Sequence, residues 1–251
     1  MKTLNKLSAI LLLSAGFVSH QALADNAVFT VMDDPSTAKK PFDGDIAAGY
    51  LAQSGNTRSS SATASANATW YQPSTAYSLW GNAANTSSND ERSSETYALG
   101  GRSRYNVNDF DYLFGQVSWL SDRFNGYDGR TVAAIGYGRQ ILNGPVHSLR
   151  AELGPGVRYD DYREGGHKTQ ALAYGALTYQ WQLTDNTKFI QGVSVLGSDD
   201  TTVNSETGLQ VALNEKFALK LAYNVTWNQH PPESAPDHTD TKTVLQLSYA
   251  M

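Results

Sequence analysis

The strongest constraint in this chain is a two-residue rhythm of apolar and polar side chains. From Phe217 to Trp227 the odd positions are Phe217, Leu219, Leu221, Tyr223, Val225 and Trp227. The even positions are Ala218, Lys220, Ala222, Asn224 and Thr226. Successive side chains of a strand point to opposite faces, whereas a helix needs apolar spacings of three and four. This segment is therefore a strand with one apolar and one polar face. The same rhythm runs through 171–183 and 203–213. It also runs through 61–71, where Ala62, Ala64, Ala66, Ala68 and Trp70 oppose Ser61, Thr63, Ser65, Asn67 and Thr69. Turn signals such as Gln72-Pro73-Ser74, Asn143-Gly144-Pro145 and Thr184-Asp185-Asn186 separate the runs. They divide the chain into about twelve strands, ten to fourteen being allowed by the softness of such boundaries. The expected strands are roughly 43–53, 59–71, 75–84, 96–106, 111–121, 130–141, 146–158, 169–183, 188–197, 203–213, 217–227 and 241–251.

The connections have an order of their own. Tight turns follow the even-numbered strands, and longer polar loops follow strands 3, 5, 7, 9 and 11. That alternation of short and long connections is the pattern of an antiparallel transmembrane β-barrel with both chain ends on the short-turn side. The short Gly55-Asn56-Thr57 after strand 1 departs from it. A mean hydropathy of −0.42 argues against helical membrane spans only, because in a barrel just one residue in two meets lipid.

The first residues read as an address. Lys2 and Lys6 precede an apolar run from Leu7 to Val18, and Ala22-Leu23-Ala24 supplies small residues at a cleavage point. This predicts a secretory signal peptide over 1–24, cut after Ala24. The apolar run is too short for a bilayer core that needs ~20 helical residues. A polar lead-in, 25–41, and a barrel, 42–251, are expected to follow, in the bacterial outer membrane. The absence of cysteine excludes disulfides, thiolate metal sites and a cysteine nucleophile. The net charge of −5 disfavours nucleic acid as a partner.

Period alone does not say which face of a barrel is apolar. Aromatic residues at the ends of the apolar faces favour lipid outside: Trp70, Tyr97, Tyr105, Trp119, Tyr137, Tyr159, Tyr179, Trp181, Tyr223, Trp227 and Tyr249. Amphipathic rings suit the headgroup girdle. The opposite faces hold Arg102, Arg104, Arg150, Glu152, Arg158, Glu206 and Lys220, which a wet lumen tolerates. Leu245, Leu247, Tyr249 and Met251 alternate to the last residue, as in the closing strand of outer-membrane barrels, although Met251 stands where Phe is common. A soluble periplasmic β-barrel is the competing architecture.

Several segments carry a family likeness. They are Val28 to Pro35, Gly49 to Thr57, Asn85 to Ser94, Gly136-Tyr137-Gly138-Arg139-Gln140, Gly154 to Tyr159 and Ala222 to Trp227. The chain resembles the YdiY-like family of salt- or acid-induced outer-membrane proteins, whose function is unknown. The resemblance spans essentially the whole exported chain. It implies an outer-membrane barrel linked to envelope stress, and it transfers no catalytic residue.

Chemistry is sparse. Neither H-E-x-x-H nor G-x-S-x-G occurs. His147 and Ser148 are adjacent, so in a strand they face opposite sides and cannot form a catalytic pair. The acidic pairs Asp33-Asp34, Asp160-Asp161 and Asp199-Asp200 lack calcium-loop spacing and read as solvated loops. Gly154-Pro155-Gly156 reads as a bulge or kink. The chain is therefore expected to be no enzyme and to need no cofactor or metal. Its expected partners are outer-membrane lipid, the barrel-assembly machinery during biogenesis and small solutes. Fixed charges on the inner face can either set the selectivity of a narrow pore or pair and plug the barrel. The main functional expectation is a stress-related barrel with a narrow or plugged lumen and a structural or surface role. The alternative is a passive small-solute channel.

Overall fold

The computed structural model of the protein describes residues 32, 34–38, 40–53, 59–88, 91–122, 126–231 and 237–251. The expected signal peptide and the Gly55-Asn56-Thr57 connection lie outside the described residues. Among the described residues, twelve strands follow a 3₁₀ turn at Pro35–Thr37. They are β1 (Phe42–Gln53), β2 (Ser59–Tyr71), β3 (Thr75–Ser88), β4 (Glu91–Asn106), β5 (Asp111–Asp122) and β6 (Tyr127–Asn143). The second half continues with β7 (His147–Tyr162), β8 (His167–Thr184), β9 (Thr187–Gly197), β10 (Thr202–Ala212), β11 (Phe217–Asn228) and β12 (Thr239–Ala250). Each strand pairs antiparallel with its sequence neighbours, and β1 pairs with β12, so the sheet closes into a barrel. This is the transmembrane β-barrel that the alternation predicts. Closure gives every strand a partner on both sides, which hydrocarbon requires because it offers the backbone no other hydrogen bonds.

The outward positions form an apolar belt. Ile46, Leu79, Leu99, Ile135, Leu177 and Leu245 are all exposed near the middle of their strands. A soluble barrel would turn these residues inward. The aromatic positions Trp70, Tyr97, Tyr105, Tyr137, Trp181, Tyr223 and Trp227 are also exposed. Trp119, Tyr179 and Tyr249 lie on the same outer face, partly covered by neighbours. Tyr179 stacks on His147 with ring centroids 6.0 Å apart, and Tyr249 packs on Phe217 at 5.2 Å.

Some strands are longer than the alternation suggests. β3 and β4 stay paired as far as Ser88 and Glu91, through residues expected to form a loop. β7 and β8 likewise pair out to Asp161 and His167. A tilted span uses only ~9–11 residues. The 16 residues of β4 and 18 of β8 therefore project past the lipid. In water a ladder needs no apolar face, so its polar sequence reads as loop.

Of the bulge or kink expected at Gly154-Pro155-Gly156, the bulge is absent, because no extra residue is inserted. Ala134 pairs with Gly156 and Tyr137 with Leu153, the same register on both sides. The ladder is interrupted between those pairs, where Pro155 has no N–H to donate. Here the two backbones approach closely. A Cβ on Gly154 would lie 2.6 Å from the Gly136 Cα and overlap the Ile135 carbonyl oxygen. Gly154→Ala is expected to destabilise the barrel by about 1–3 kcal/mol through forced overpacking. Gly175→Ala should change little, because its Cβ would meet nothing nearer than 3.9 Å. Urea titration of the two variants in detergent compares them directly.

Candidate functional site in the barrel lumen

Inward-facing side chains on one wall pack like a protein core. Tyr112, Phe114, Val132, Ala134, Leu172, Tyr174 and Leu196 form a buried cluster on β5, β6, β8 and β9. The Phe114 and Tyr174 rings lie 5.5 Å apart. Against this cluster sit buried charges, and low local dielectric makes each depend on a partner.

The seven charged residues expected on the inner face do not form one ring; they divide into separate groups. Arg102 pairs with Glu152 across the interior, from β4 to β7. Glu152 also accepts hydrogen bonds from the hydroxyls of Tyr112 at 2.6 Å and Tyr174 at 3.3 Å. Gln116 Oε1 accepts a further Arg102 N–H at 2.9 Å. Lys220 Nζ donates to Glu206 Oε1 at 2.8 Å on β10 and β11, where the lysine is partly open to water.

Arg158 belongs to a third group, toward the long-loop end. Its Nε lies 2.9 Å from Asp160 Oδ2, and its Nη2 lies 2.8 Å from Asp200 Oδ2. Arg130 Nε donates to Asp160 Oδ1 at 2.6 Å, and its guanidinium lies over the Tyr127 ring. Asp160 is completely buried, so the expectation of a solvated acidic loop is corrected there. The cause is the extra length of β7, which carries Asp160 on the same inward face as Arg158. Arg130 shares inward parity with Val132, a signal that an expected strand start at 130 obscured. Among the described residues no cluster of three or more His, Asp or Glu could hold a metal ion.

Arg104 and Arg150 are engaged by the N-terminal lead-in, which enters the lumen at the short-turn end. The Asp34 carboxylate accepts from Arg104 Nη2 at 2.9 Å and from Asn106 Nδ2 at 2.7 Å. The Met32 carbonyl accepts from Arg150 Nη1 at 2.7 Å. Asp34 also caps the 3₁₀ turn by accepting from the Ser36 N–H. Sequence reasoning could not find this contact, because an irregular segment has no parity to say where it points.

Burial pushes the Asp34 carboxyl up. Hydrogen bonds from Ser36 and Asn106 and the Arg104 charge outweigh burial and hold it below the ordinary carboxylate range. A depressed carboxylate adds stability that is full above its unfolded value of about 3.9. That contribution is lost as pH falls through the lower folded value. A fluorophore on Ala38→Cys, unique in a chain without cysteine, should keep constant anisotropy from about pH 8 to about pH 5. The lead-in should loosen, and anisotropy fall, only below about pH 4.

Glu152→Ala is expected to cost about 3–5 kcal/mol, because it strands the buried Arg102 guanidinium. Glu206→Ala should cost much less, since Lys220 can turn to water. Urea midpoints measure the difference.

Comparisons with known proteins agree with this architecture. A family profile described as "Protein of unknown function, DUF481" matches residues 46–251. The "Uncharacterized protein YdiY" of Escherichia coli (strain K12) is 65% identical over 252 residues, covering 100% of both chains. An outer membrane channel from Pseudomonas putida F1 superposes with a TM-score of 0.54 at 11% identity, covering 88% of this chain and 99% of that one. The translocator domain of the autotransporter NalP from Neisseria meningitidis gives 0.50 at 12% identity, covering 86% and 90%. At such identities the two structures share a fold with this chain.

Proposed function

Since the chain belongs to the DUF481 family of proteins of unknown function, we propose that it is an outer-membrane barrel serving as a narrow passive conduit for small hydrophilic solutes. One observation carries this reading: the two sides of the lumen differ in access to water. Inward residues of the packed wall, such as Arg104, Phe114, Leu172, Ile190 and Asn204, are buried. On β12, β1, β2 and β3, by contrast, the inward residues Gln246, Asp45, Ser65, Asn67 and Asn82 are half-buried, while Thr69, Ala76, Ser78 and Val244 on the same strands are buried. A plug filling the whole interior would bury both sets. Hydroxyl and amide side chains along the accessible side replace part of a solute's hydration without binding it tightly.

The buried Arg102–Glu152 and Arg158–Asp160 pairs support the narrowness of this path, because they fix bulky groups on one side. The likeness in fold to a solved outer membrane channel is compatible with conduction. Export through a cleaved signal peptide and insertion by the barrel-assembly machinery belong to the same reading. They are supported by the basic and apolar N-terminus and by the alternation up to Met251. Resemblance to a salt- or acid-induced family supports a role in envelope stress.

Refolded protein in a planar bilayer should give small, steady current steps. Ser65→Trp, which places a large ring on the accessible side, should lower the step sharply while leaving the heat-modifiable gel shift intact. Silence across salts and voltages would overturn the conduit and favour a closed structural barrel.

A further inference from the structure

We propose that Arg104, Asn106 and Arg150 form a lumen site for small carboxylate anions, which the N-terminal segment occupies as a tethered ligand through Asp34. The barrel wall builds the site without help from its occupant. Arg104 Nε donates to Asn106 Oδ1 at 2.9 Å, which turns the Asn106 amide N–H toward the carboxylate. The Arg104 guanidinium lies over the Tyr112 ring, 3.9 Å from its centroid. Tyr112 is itself held by Glu152. The donors are thus positioned by groups on β4, β5 and β7.

What occupies the site is chemically an acetate on a chain. The two Asp34 oxygens take separate donors, Oδ2 from Arg104 and Oδ1 from Asn106. Two residues earlier the Met32 carbonyl takes Arg150. A free dicarboxylate offers the same two acceptors on one small molecule.

Arg102, Arg104 and Arg150 bring three guanidinium groups to this wall, where Arg102 holds Glu152 and Arg104 meets Asp34. Arg104 and Arg150 are close enough to repel each other. Arg104 is 3% exposed, yet its Nη1 has no hydrogen-bond partner among the described residues. A buried guanidinium with an unused N–H is a site not saturated by its present occupant. The position at the end of β4, beside a short turn, opens the site to the side from which the chain enters the barrel. A short tether presents its carboxylate at an effective concentration on the order of millimolar. Free anions therefore compete only when similarly abundant, and the segment sets a threshold for their entry.

Equilibrium binding of radiolabelled succinate to the refolded, signal-free chain tests the site, and it requires no conduction. Asp34→Ala should bind succinate about tenfold or more tightly than the native protein, the worth of a charge-assisted hydrogen bond freed for the ligand. Adding Arg104→Gln should return binding to the native level. A folded Asp34→Ala protein that binds no more succinate than the native one overturns the site, as does indifference to Arg104→Gln. If Asp34→Ala does not fold, maleimide labelling of Ala38→Cys in the otherwise native chain decides instead. Succinate should speed labelling relative to potassium chloride of equal ionic strength, and equal rates overturn the proposal.

Discussion

Everything in this protein depends on closing one hydrogen-bonded ladder. An unpaired backbone N–H or C=O in hydrocarbon costs several kcal/mol, so a sheet in a bilayer can have no free edge. The chain meets that demand by running twelve strands up and down and bringing β12 back to β1. The join is the shortest ladder in the barrel, from Asp45–Ala250 to Ala48–Leu247. Once the sheet is closed, the period of two assigns every side chain. One face must suit lipid, and the other is enclosed.

The enclosed face then has to solve a different problem. Twelve strands surround more space than one layer of small side chains fills. The protein fills it unevenly. Aromatic and aliphatic groups from β5, β6, β8 and β9 build a half-core, and this dries the charges that lie against it. Ion pairs among these charges join Arg102 with Glu152, Arg130 and Arg158 with Asp160, Arg158 also with Asp200, and Arg104 with Asp34. Such pairs need not add net stability, but they fix geometry, because separating them strands a buried charge. On the other side of the lumen some small polar groups, such as Ser65, Asn67 and Asn82, stay in reach of water. The same interior is thus rigid on one side and wet on the other, and the proposed conduit and anion site both use that asymmetry.

The sequence carried a good deal of this. Strand order, parity and the outward aromatics from Trp70 to Tyr249 could be read from alternation and turn chemistry alone, since both are local. The inward parity of Arg102, Arg150 and Glu206 was legible in the same way. Which charges pair with which was not, nor were the partners of Arg158 and Arg104. Asp160 looked like loop because β7 continues beyond the lipid, where polar residues no longer signal an end. Asp34 lay in a segment with no period at all. The glycines at 136 and 154 were visible as composition, but their backbone contact was not.

The sequence by itself therefore determined the class of fold and the face of the sheet on which each strand residue sits. The reason is that a pleated strand reports its faces every second residue. Only the tertiary structure decided which charges meet across the lumen and which wall packs. It also decided that the lead-in returns to Arg104 and Arg150. Those contacts join residues far apart in the chain, such as Arg150 and Met32. They exist because curvature and closure bring distant strands within hydrogen-bond reach, and no local pattern encodes that distance.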